Sequence, residues 1–101
     1  MSQAGDALRR ALCADLAGPA IVEALVSRSW ASITFSGERH RIVLRLAGES
    51  AGAAADRFLD GLAEREFALD GHILADIALV SDERHTDWIR LILEALTVEE
   101  S

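Results

Sequence analysis

The sequence predicts a single α+β domain over residues 1–101: a two-layer sandwich in αββαββ order, its four-stranded antiparallel sheet carrying both helices on one face. Three observations point there. Half of the residues are apolar, enough for one ordinary core without metal or disulfide. The apolar period switches from near four to two, back to near four, and to two again. Each helix and each hairpin so defined has one apolar surface, and the two kinds of surface close on one another.

Leu8, Leu12 and Leu16 recur every four residues with Ala11 alongside, while Asp6, Arg9, Arg10 and Asp15 point elsewhere. This is an amphipathic helix with an Asp6–Arg10 pair in the favourable orientation. Gly18-Pro19 ends it, because proline disfavours helical geometry in the residue before it and can open a new turn. A short second helix is expected over residues 19–27, showing Ile21, Val22, Leu25 and Val26 to the core.

From Trp30 the period becomes two. With Gly37-Glu38 as a type II′ turn, the inner pairs are Phe35/His40, Ile33/Ile42 and Ala31/Leu44; the outer pairs are Thr34/Arg41, Ser32/Val43 and Trp30/Arg45. Helical spacing returns after Ser50, a candidate cap, with Ala51, Ala55, Phe58, Leu59 and Leu62 as the buried stripe and Asp56, Arg57, Asp60, Glu64 and Arg65 toward water. Gly61 costs that helix on the order of 1 kcal/mol relative to alanine, for which close packing is the expected compensation.

Asp70-Gly71 reads as a bulge or a tight turn before the third strand. The last segment contains good helix formers, yet Ile89, Leu91, Leu93, Ala95 and Thr97 alternate, so a strand is expected. A loop over 82–86 then pairs Leu79/Ile89, Ile77/Leu91 and Ala75/Leu93 inside. The alternative of a four-residue loop would set Asp76 against Leu91 on the core face, where a carboxylate is costly. Moving the first strand of a ferredoxin-like βαββαβ arrangement to the carboxy terminus produces this αββαββ order. A permuted ferredoxin-like sheet is therefore the expected topology, a resemblance of architecture without a shared motif.

Ser-x-Glu-Arg-His occurs at 36–40 and again 45 residues later, at 81–85. Both copies are expected at hairpin tips, as solvated turns that need not meet, left either by duplication of an αββ unit or by chance. Neither His40 nor His85 has metal-ligand spacing to other histidines, cysteines or carboxylates, so no metal and no cofactor is assigned. His72 reads as a strand-end residue. Cys13 lies three and four residues after Arg10 and Arg9, but it has no histidine neighbour and no second cysteine. The "SAGAAA" stretch lacks the Gly-Lys-Ser/Thr ending of a phosphate loop. No catalytic residue is assigned.

Ten basic against seventeen acidic residues leave a net charge of −7, which argues against nucleic acid and anionic membrane surfaces as partners. Charges interrupt the apolar pattern of the amino terminus, unlike a signal peptide, and no apolar run reaches the roughly 18 residues of a membrane span. A cytoplasmic location is the expectation.

The exposed face of the sheet is the strongest functional clue. It collects Trp30, Val43, Leu74, Ala78, Val80, Trp88, Ile92 and Leu96, with Arg41, Arg45, Asp76, Arg90 and Glu94 interspersed. Trp30 is expected to stack with Arg45. An apolar face with few charges marks an interface. The expected function is a non-enzymatic interaction protein, most simply a homodimer packed sheet against sheet. One alternative is a binder of a small anionic ligand, or an enzyme, with a pocket between two such faces, where Asp76 or His72 serves as base. Another is a subunit of a larger hetero-assembly.

Overall fold

The computed structural model describes residues 2–16 and 20–100, so Gly18-Pro19 lies outside the described residues. Helix α1 covers Gln3–Leu16, strands β1 and β2 cover Ala20–Ala31 and Ser36–Ala47, and helix α2 covers Ala51–Leu59. A short 3-10 turn at Leu62–Glu64 precedes strands β3, His72–Arg84, and β4, Trp88–Glu99. The sheet is antiparallel throughout, in the order β1-β2-β4-β3. That is the strand order the permuted arrangement requires.

One core lies between the inner face of the sheet and both helices. Leu8, Leu12 and Leu16 of α1 and Ala51, Ala54, Ala55 and Phe58 of α2 pack on Ile42, Leu44 and Leu46 of β2 and on Ile89, Leu91, Leu93 and Ala95 of β4. The expected alternation of β4 therefore holds, with all five inward positions buried. Helix α2 stops earlier than its apolar stripe suggests, because Gly61 takes a left-handed φ of 70°, and a Cβ there would meet no atom within 4 Å. Gly61 ends the helix instead of allowing close packing. Ser50 precedes α2 without a side-chain cap hydrogen bond. Arg65, expected in water, bridges the helices: it reaches Asp15 at 2.6 Å and donates to the Asp60 carbonyl at 2.6 Å. Asp6 and Arg10 form no ion pair.

The expected helix over residues 19–27 is a strand. Residues 20–31 are all β, and the first hairpin turns at Ser32–Phe35, where Ser32 N–H donates to the Phe35 carbonyl at 2.7 Å. Its register is Ala31↔Ser36, Ser27↔His40, Leu25↔Ile42 and Val22↔Leu44, with a bulge at Glu23. Ile33 and Phe35, expected in the core, project from the tip at 107% and 58% exposure. The physical reason is ladder length. β2 offers twelve residues, and pairing with 20–31 uses almost all of them, whereas a turn at Gly37-Glu38 would leave the inward residues His40 and Ile42 facing a much shorter partner. β-branched Ile21, Val22 and Val26 suit a strand, while a helix of this length is marginal by itself.

Gly37 is then a strand residue. A Cβ there would collide with the backbone carbonyl oxygen of Thr97 and approach Val98 Cα to 3.0 Å, so glycine permits a close crossing of β2 and β4. Just before β3, Asp70-Gly71 forms a tight turn, with Gly71 at φ 77° and His72 N–H donating to the Leu69 carbonyl at 3.2 Å. Bulges at Ala75 and Val80 alter the expected register to Leu79↔Leu93 and Ile77↔Ala95, and the loop shrinks to residues 85–87. Asp82 consequently sits opposite Leu91. It is tolerated because this end of β3 is exposed, where Asp82 holds Arg84 at 3.0 and 3.1 Å.

The repeated pentapeptide does not form the two turns. Ser36–His40 opens β2 after its turn, whereas Ser81–Arg84 closes β3 before the next. β1 and β2 begin at residues 20 and 36, β3 and β4 at 72 and 88, an offset of 52 rather than 45. The two copies occupy non-equivalent strands, so the match is not a trace of the structural repeat.

Candidate functional site: the outer face of the sheet

Both helices lie on the inner face, and among the described residues nothing crosses the outer one. The registers set its side chains in rows, read from β1 through β2 and β4 to β3. Trp30, Gly37, Val98 and Ile73 form the first row, and Arg28, Arg39, Leu96 and Asp76 the second. Val26, Arg41, Glu94 and Ala78 follow, then Ala24, Val43, Ile92 and Ser81, then Ile21, Arg45, Arg90 and Glu83. Trp88, opposite Ala47, closes the far end.

Trp30, Arg41, Val43, Arg45, Asp76, Trp88, Arg90, Ile92 and Glu94 therefore share the face expected of them. Leu74 does not. The bulge at Ala75 restores the inward direction, so Leu74 pairs with Thr97 and packs against the core. Val80, at the second bulge, is exposed. Glu23, Val26, Arg28 and Arg39 belong to the face and were missed. Val26 and Arg28 had a signal in the alternation of Ala24, Val26, Arg28 and Trp30, hidden by reading that segment as a helix; Arg39 alternates with Arg41 and Arg45 on β2 beside the expected turn, and Glu23 sits at the bulge, which has no local signature.

Trp30 and Arg45 stand at opposite ends of the first hairpin, so their expected stacking does not occur. Trp88 takes that role: the Arg45 guanidinium lies 4.6 Å and that of Arg90 5.3 Å from its ring, while His85 stacks at 4.0 Å. Carboxylates complete the cluster. Glu23 meets Arg90 at 3.2 Å and Arg45 at 3.8 Å, and Glu83 meets His85 at 2.8 Å and Arg90 at 3.6 Å. The His85 hydrogen bond holds the Glu83 carboxyl below its ordinary pKa. Mid-face, Arg41 meets Glu94 at 3.3 Å.

Among the described residues, Arg28, Arg39 and Asp76 have no ionic partner. The two arginines face each other across β1 and β2, an unfavourable like-charge pair, and Asp76 lies at the far edge of the same row. All three line a depression of about 530 Å³ together with Val26, Arg41 and Glu94. Arg45 and Arg90 are not part of it. They lie six positions along β4 from the row of Asp76, so Arg45, Asp76 and Arg90 do not enclose a common pocket within one chain.

Five of the ten basic residues lie on this face, against the carboxylates of Glu23, Asp76, Glu83 and Glu94. The chain's excess of negative charge is thus carried by its other surfaces.

The histidines separate. His85 caps the Trp88 end, while His40, expected in a solvated turn, is 2% exposed on the inner face. Thr97 Oγ1 donates to the Glu38 carbonyl at 3.4 Å and accepts from His40 Nε2 at 2.9 Å, and Ser27 donates to Nδ1 at 2.7 Å. That chain of donors needs the neutral ring, and burial lowers the His40 pKa, with Glu38 opposing and His72 reinforcing the shift. This is a satisfied core histidine. His72 lies on the inner face and Asp76 on the outer one, so of the two residues expected as a base only Asp76 stands on the face in question. Cys13 is exposed on α1. No known protein family, curated protein or solved structure matches the chain. Among the described residues no helix is long and apolar enough to cross a membrane.

Proposed function

We propose that this protein is an interaction module that associates with itself through the outer face of its sheet and performs no chemistry there. The observation that supports this reading is the composition of the uncovered face. Val43 and Ile92 lie side by side on the central strands, with Val26 one row away and Leu96 two, and arginine and carboxylate side chains are interleaved among them. An uncovered face that mixes apolar side chains with paired charges is the kind of surface protein interfaces use. Strands of twelve and thirteen residues span about 40 Å, and four of them about 14 Å, of backbone alone. With side chains, that approaches the roughly 800 Å² each partner gives to a standard interface.

Light scattering across a wide concentration range tests the reading. Dimers are expected, and Val43→Glu should convert them to folded monomers, with far-UV circular dichroism unchanged. A wild-type monomer at every concentration overturns it. The 530 Å³ depression beside Arg28, Arg39 and Arg41 favours a second reading, a small anionic ligand held on the same face. A thermal shift with dicarboxylates that Arg39→Gln abolishes, in a chain that remains monomeric, would support that reading instead.

A further inference from the structure

If the outer face carries self-association, its unpaired charges decide how the second copy lies. A two-fold axis in the plane of contact can run across the strands or along them. Across the strands, β1 covers β1 and β2 covers β2 of the other copy with the row order reversed, so the row on the axis meets itself: Arg41 on Arg41 and Glu94 on Glu94, or Arg28 on Arg28 and Asp76 on Asp76. Along the strands, β1 covers β3 and β2 covers β4, and every row faces the same row of the other copy, because such an axis leaves position along the strand unchanged.

The geometry points to the second arrangement: a second copy docked by a two-fold axis parallel to the strands, with Arg28 of each chain against Asp76 of the other. Within one chain these two residues stand at opposite edges of the sheet, three strand spacings or about 14 Å apart, and neither has an ionic partner among the described residues. They nevertheless occupy one row, which is the condition a pure two-fold imposes. The same operation sets Arg41 against Glu94 and Val43 against Ile92 near the axis; it also sets Arg45 against Arg90, each of them already held by carboxylates of its own chain, Glu23 and Glu83. It also brings a carboxylate to the Arg28–Arg39 pair, which has none in its own chain. Aligned packing of the two sheets, within about 30° of parallel, keeps these rows in contact.

Charge reversal tests the orientation separately from the association. Arg28→Asp and Asp76→Arg alone should each raise the dimer dissociation constant about tenfold, since each turns two attractions into repulsions. The double variant should return to within about threefold of wild type, and an equimolar mixture of the two single variants should form heterodimers. Each effect should shrink in 1 M salt. Both substituted positions are solvent-facing, and thermal melts of each variant at a concentration where it is monomeric verify folding. A wild-type dimer that neither single variant weakens, or a double variant no tighter than the singles, overturns this orientation and leaves self-association standing. A wild type that never dimerises removes both.

Discussion

Replacing Gly37 by alanine should destabilise the fold far more than its single methyl group suggests. The added carbon would fall on the Thr97 carbonyl oxygen, with Thr97 C at 2.9 Å and Val98 Cα at 3.0 Å. These are backbone atoms of a central strand and cannot rotate away. Relief requires β2 and β4 to separate at Gly37↔Val98 and Glu38↔Thr97. Overpacking of this kind costs about 1–3 kcal/mol, and a lost ladder hydrogen bond adds about 1 kcal/mol. Restricting the unfolded chain returns about 0.4–1 kcal/mol. The net loss is about 2 kcal/mol, a fall in Tm of about 10 °C for a domain of this size. Movement of Thr97 would also loosen the hydrogen bond to His40. Gly52→Ala supplies the control: Gly52 lies inside α2 with open space around it, and the substitution should stabilise by up to about 1 kcal/mol. Urea denaturation followed by circular dichroism measures both. A Gly37→Ala protein as stable as wild type would refute the close crossing of β2 and β4.

The hairpin register and the buried histidine yield two further tests. Ile33→Ser and Phe35→Ser should each change stability by less than about 0.5 kcal/mol, because both project from the β1–β2 tip, whereas Leu44→Ala should cost about 2–5 kcal/mol; a large loss at Phe35 would restore the turn at Gly37-Glu38. Burial depresses the His40 pKa in the folded state, so the unfolded chain binds the extra proton first. Stability should be full above pH of about 7 and fall as pH drops through the unfolded histidine value of about 6.5, with a slope of at most about 1.4 kcal/mol per pH unit. Melts of wild type and His40→Gln between pH 5 and 7.5 should show a steeper dependence for wild type, and equal slopes would contradict the buried neutral ring.

The segments differ in how legible they were, and the difference tracks how local their determinants are. Leu8, Leu12 and Leu16 of α1 repeat at one helical face, and Ile89 to Thr97 alternate for the whole of β4; each pattern is complete within its own segment and survives folding unchanged. Residues 20–31 carry signals for both states. Ile21, Val22, Leu25 and Val26 fit a helical face, while Ala24 to Trp30 alternate, and the ladder along β2 decides between them. The bulges at Glu23, Ala75 and Val80 have no local signature, yet each shifts register by one and moves side chains between faces. Leu74 was misplaced for that reason, and Arg28 was missed because its segment was assigned to the wrong element.

The candidate site divides in the same way. Nine of its ten expected residues lie on the outer face: alternation along β2 and β4 places seven of them there whatever the pairing, and Trp30 on β1 and Asp76 on β3 join them through the register. Which of them meet is another matter: Arg45 stacks on Trp88 and not on Trp30, and that depends on cross-strand register.

By itself, the amino-acid sequence determined the αββαββ order, the antiparallel two-layer class and the apolar outer face, because each follows from periodicity within a short segment and from the need to bury one surface. The tertiary structure alone decided where the hairpins turn, that β1 replaces a helix, that Gly37 passes a neighbouring backbone, and that Arg28, Arg39 and Asp76 share one row. Those features arise from pairing between residues far apart in the chain, where ladder length, bulges and steric contact outweigh any local preference.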